Sequence, residues 1–120
     1  MKPTLIFSLL TLLLLSSACS STPKVIPLKV YSEPAGAYVI YRVSSTSGDV
    51  PWVYLGTTPL ESTLQVDSDM AKNTSKLSVR VMKEGYFDSK KEWDAEKLKK
   101  ESKQRKMLFW NPNLVEHQVR

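Results

Sequence analysis

Between Leu28 and Val81 apolar residues recur at every second position in a series of short runs, each stopped by a turn-forming or polar cluster. A two-residue period sends alternate side chains to opposite faces of an extended strand, so one face is buried and the other meets water. Leu28, Val30 and Ser32 alternate with Lys29 and Tyr31, and Ala37, Val39, Tyr41 and Val43 alternate with Tyr38, Ile40 and Arg42. Leu60, Ser62, Leu64 and Val66 make a further run. Leu77, Val79 and Val81, set against Ser78, Arg80 and Met82, make the cleanest one. Glu33-Pro34-Ala35-Gly36 joins the first two runs and predicts a β-hairpin, because proline presets the backbone angle and glycine accepts a positive φ. Pro51 to Leu55 is apolar on both faces and predicts a buried strand, ended by Gly56-Thr57-Thr58-Pro59. Glu84-Gly85-Tyr86 turns the chain again, and residues 86–93 are expected to pair as a sixth strand. Strands this short, at this spacing, predict an all-β chain: a small antiparallel β-sandwich or partly open barrel of about six to seven strands. A parallel sheet is not expected, because the crossover helices it needs are missing from the pattern.

The character changes after the last of these runs. From Lys83 to Lys106 basic and acidic residues are mixed, and Asp94 is placed to cap a short C-terminal surface helix over about residues 95–104. Glu96 with Lys100, and Glu101 with Arg105, have the four-residue spacing that favours ion pairs along a helix. Little there is apolar beyond Trp93, Ala95 and Leu98, so the plain expectation is a solvated helix. The sharper one is that Lys97, Lys99, Lys100, Lys103, Arg105 and Lys106 form a basic patch facing an anionic polymer or phospholipid headgroups. Met107-Leu108-Phe109-Trp110 is strongly apolar and is expected to be a final strand that closes the sheet. The alternative is a partner-binding patch carried by Phe109 and Trp110.

The first residues have a different origin. Lys2 is followed by an apolar run from Leu5 to Leu15, then Ser16-Ser17-Ala18 and the single cysteine, Cys19. A charged start, an apolar centre and small residues before a cut make a secretory signal peptide. The apolar run is too short to span a bilayer, which takes about 20 residues. Removing residues 1–18 takes one lysine and no acid, lowering the formal net charge from +5 to +4. Export and a modest charge argue against nucleic acid as a partner. A lone thiol cannot form an internal disulfide. Leu15-Ser16-Ser17-Ala18-Cys19 resembles the lipobox of bacterial lipoproteins, with Ser16 where leucine is commonest. The resemblance implies lipid on Cys19, insertion in a membrane through that lipid, and, since Ser20 rather than aspartate follows, an outer membrane facing the periplasm.

Within the strand region, Ser32-Glu33-Pro34-Ala35-Gly36-Ala37 resembles the motif that names the PEGA domain family. Gly56-Thr57-Thr58-Pro59-Leu60 is similar to the family's Gly-x-Thr-Pro segment, and Leu77 to Val81 followed by Lys83-Glu84-Gly85-Tyr86 resembles its closing strand and turn. Residues 42–55 form a longer stretch than the simplest members need, carrying Trp52 and Tyr54. The resemblance implies a non-catalytic envelope module that binds envelope polysaccharide or a similar polymer, with Trp52 and Tyr54 as candidate contacts. The alternative is a structural accessory subunit of a membrane protein complex, docked through Phe109 and Trp110. The expected organisation is a signal peptide at 1–18, a lipidated tether at 19–26, a PEGA-like β domain at 27–93, and a basic helix with an aromatic closing segment at 94–120. His117 is the only histidine, and there is no cysteine pair, phosphate-cradling glycine loop or nucleophile elbow. No catalytic residue, metal or cofactor is therefore assigned.

Overall fold

The computed structural model describes residues 24–44, 50–66 and 75–117. Cys19, the leader and the expected tether up to residue 23, and residues 45–49, 67–74 and 118–120, lie outside the described residues. Seven strands and one helix follow in order: β1 (Lys24–Val30), β2 (Tyr38–Ser44), β3 (Val53–Thr57), β4 (Leu60–Val66), β5 (Lys76–Met82), β6 (Ser89–Asp94), α1 (Ala95–Arg105) and β7 (Leu108–Trp110). They build a small β-sandwich of one three-stranded sheet, β4-β1-β7, and one four-stranded sheet, β3-β2-β5-β6. The all-β class, the strand number and the short C-terminal helix agree with the sequence expectation.

Alternation decides which residues enter the core. Ile26, Leu28 and Val30 of β1 and Leu64 of β4 face Val39 of β2 and Leu77, Val79 and Val81 of β5, all of them buried. Each buried aliphatic side chain of this size contributes roughly 1.5–3 kcal/mol by leaving water. On β6, Trp93 is fully buried, and its indole Nε1–H donates to Glu101 Oε2 of α1 at 2.7 Å. Together with buried Leu98, this bond fixes α1 against β6 and β7, where it closes one open side of the sandwich. Asp94 caps the helix by accepting from the Lys97 backbone N–H at 2.7 Å, and Lys106 ends it in the left-handed conformation at φ 57°. Among the described residues neither Glu96–Lys100 nor Glu101–Arg105 forms an ion pair. Glu101 turns inward to Trp93 instead.

Four expectations need correction. The first two strands do not form a hairpin, because β1 lies in the three-stranded sheet and β2 in the four-stranded one. The connection between them is pulled away from hairpin geometry by outside partners. Glu33 N–H donates to Pro112 O, Leu114 N–H donates to Glu33 O, and Ser32 Oγ lies 2.6 Å from Thr58 Oγ1. Gly36 completes the turn at φ 87°, where a side chain would be strained. Second, β3 is an edge strand and not a buried one: Val53 and Tyr54 are 45% and 59% exposed. Third, β1 begins at Lys24 and buries Ile26, so residues 24–26 belong to the sandwich rather than to a tether. Fourth, β7 pairs with β1 in parallel, Leu28 opposite Leu108 and Val30 opposite Trp110. A crossover helix is unnecessary because the chain from β1 to β7 traverses the whole second sheet first.

Candidate functional site

The outward faces of the two sheets differ in character. On the four-stranded sheet, Tyr38, Ile40 and Arg42 of β2 stand beside Ser78, Arg80 and Met82 of β5, with Lys90 and Glu92 of β6 next in register. Edge strand β3 adds Tyr54 opposite Ile40. A β-bulge between Val39 and Ile40 makes this possible. It inserts Leu55 as an extra residue that packs against the core, while Tyr54 stays on the outer face. The same bulge leaves Gly56 opposite Val39.

Trp52, immediately before β3, is gripped by two arginines. The guanidinium carbon of Arg42 lies 4.4 Å from the indole centroid and that of Arg80 lies 4.7 Å from it. Each such contact stabilises by about 0.5–2 kcal/mol, more when water is excluded. The cover is effective: Ser78 lies between Arg42 and Glu92 on this outer face and is still only 2% exposed. Within it, Arg42 Nε is shut off from water with no hydrogen-bond acceptor, which costs about 1–3 kcal/mol. Beside this cluster Tyr38 and Tyr54 stand open, 53% and 59% exposed, with ring centroids 6.2 Å apart. Lys90 Nζ pairs with Glu92 at 2.8 Å and holds that carboxyl below its ordinary value.

Trp52 and Tyr54 are thus brought to one surface, and Phe109 and Trp110 are not. Trp110 packs on the core, and Phe109 sits edge-on to Tyr31, centroids 5.5 Å apart, on the other sheet. The basic residues of the C-terminal segment divide in two. Lys97, Lys100 and Arg105 line a cleft of about 350 Å³ with Lys91, Glu101, Gln104 and Phe109, while Lys99, Lys103 and Lys106 lie outside that lining and exposed. Tyr38, Arg42 and Arg80 escaped notice in the sequence. The signal was present, since strict alternation already put all three on the faces opposite Val39 and Val79. Among the described residues no three His, Cys, Asp or Glu side chains come together, and no helix is long and apolar enough to cross a membrane. The arrangement can stack and hydrogen-bond a ligand.

Compared with known proteins, the chain matches no family model, no curated protein and no solved structure.

Proposed function

We propose that this chain is a lipid-anchored envelope protein whose open sheet face binds an envelope carbohydrate polymer without catalysis. The observation that carries the binding half is the grouping of the open rings of Tyr38 and Tyr54 on one solvent-facing surface, beside the arginine-covered Trp52. An amphipathic ring left in water offers a flat apolar face for the C–H side of a sugar and polar edges for its hydroxyls. The resemblance to PEGA modules supports the same reading. The anchoring half rests on the apolar leader and on Cys19, which would carry the lipid in an outer membrane facing the periplasm. Four residues lie between Cys19 and the start of β1 at Lys24, so the tether, five Cα steps long, reaches at most about 18 Å and would keep the sandwich close to the bilayer.

Two measurements test this. The intact mass of the membrane-extracted protein is expected to lack residues 1–18 and to carry acyl groups, and an unmodified full-length mass sinks the anchor. The extracted chain, offered to peptidoglycan and to purified envelope polysaccharide, is expected to be retained. Tyr54→Ala should weaken retention about tenfold, the loss of one stacked ring, and Trp52→Ala should weaken it by freeing Arg42 and Arg80 from the ring that holds them. Capture of a single protein partner with no polymer retained would instead favour an accessory subunit.

A further inference from the structure

We propose that the polymer taken by this face is acidic, a glycan bearing carboxylate or phosphate groups, and that Arg42 and Arg80 beside Trp52 hold its acid group. The inference rests on the carbohydrate reading above and adds the chemical class of the ligand. Three observations converge on it. Two guanidiniums lie within 4.4 and 4.7 Å of one indole centroid, so two like charges are concentrated at a single ring. Neither makes an ion pair with a described residue, and the acid nearest in register, Glu92, is engaged by Lys90 at 2.8 Å. Both arginines also stand on the outward face of the sheet, Arg80 opposite Ile40 and Arg42 opposite Ser78.

An oxyanion would answer these two charges. Guanidinium groups bind carboxylate and phosphate through paired N–H donors in a fixed fork, and an arginine already held against an aromatic face loses less freedom on binding than a mobile one. Tyr38 and Tyr54 lie on the same face and supply open rings for the sugar skeleton beside the acid group. A neutral glycan would use the tyrosines and leave the arginines unanswered.

The test uses the full chain in detergent with three polymers: polygalacturonate, its fully methyl-esterified form and a phosphomannan. Esterification removes the charge and keeps the sugar. At least one acidic polymer is expected to bind about tenfold more tightly than the ester, an advantage that shrinks as salt is raised. Arg42→Gln and Arg80→Gln should each reduce that preference. Preference for polygalacturonate marks carboxylate as the recognised group, and preference for phosphomannan alone marks phosphate. Equal binding of the acidic polymers and the ester overturns the acidic ligand and leaves the carbohydrate reading standing. Retention of none of the three overturns the acidic ligand, and retention on neither peptidoglycan nor envelope polysaccharide overturns the carbohydrate reading as well. If an arginine variant fails to fold, the comparison of acid with ester on the unaltered chain decides the matter alone.

Discussion

Thr58 holds two distant turns together through four hydrogen bonds. Its backbone N–H donates to Ala37 O at 2.8 Å, its carbonyl accepts from Gly36 N–H at 2.9 Å, and its hydroxyl accepts from Ala37 N–H at 3.0 Å. The same hydroxyl meets Ser32 Oγ at 2.6 Å, and Ser32 Oγ passes its own proton to Pro34 O at 2.8 Å. Thr58→Val keeps the shape and strands a buried donor at Ala37, so it is expected to cost about 2 kcal/mol in urea unfolding. The sequence marked both segments as turns, from Pro34 with Gly36 and from Gly56 with Pro59. It could not show that they touch, because turn chemistry is local and their meeting is set by the packing of two sheets. Glu92 gives a pH signature at the same scale. Hydrogen bonding and charge from Lys90 lower its pKa from 4.5 in the folded state. Its stabilising effect is therefore present above pH 4.5 and is lost as pH falls through the lower folded value. Because the pair is exposed the effect is small. Melting curves of the unaltered chain and Glu92→Gln should differ slightly at neutral pH and converge in acid.

Among the elements, β3 separates two meanings of apolarity. Its two-sided pattern read as burial, and the strand lies at an edge with Tyr54 in water. A run of apolar residues reports a surface that avoids water in some state, whether inside the fold or under a ligand. Tyr54→Thr is therefore expected to change unfolding free energy by no more than about 0.5 kcal/mol while weakening polymer retention. A buried strand would lose several times more. The helix was easier to read, since its cap, length and two buried residues are all local features. Asp94→Ala removes the acceptor for the Lys97 N–H and should cost about 1 kcal/mol, measurable by urea unfolding. The expected salt bridges along α1 were harder to foresee correctly, because buried Trp93 needs an acceptor for its indole N–H and takes Glu101 for the purpose.

For the whole molecule, the least legible feature was the pairing of the first strand with the last. Leu28 and Leu108 are both fully buried and stand opposite each other, although nearly the entire sandwich separates them in sequence. Leu108→Ala should cost about 2–5 kcal/mol, because it empties core volume where the final strand is seated. Sheets built from such distant partners must close long loops before any contact stabilises them. Refolding by stopped-flow fluorescence is accordingly expected in milliseconds to seconds rather than microseconds.

The position of β1 has a mechanical consequence. This first strand is the middle one of its sheet, bonded along its length to β4 and over Leu28–Val30 to β7. Hydrogen bonds in such a ladder run across the strand, so a pull along β1 from its N-terminal end, such as the proposed lipid would exert, loads both flanks in shear. They must fail together and cannot be peeled one by one. If the proposed anchor and polymer both hold, the protein would stand in the load path between them, and β1 would be the part of the fold best arranged to bear the tension.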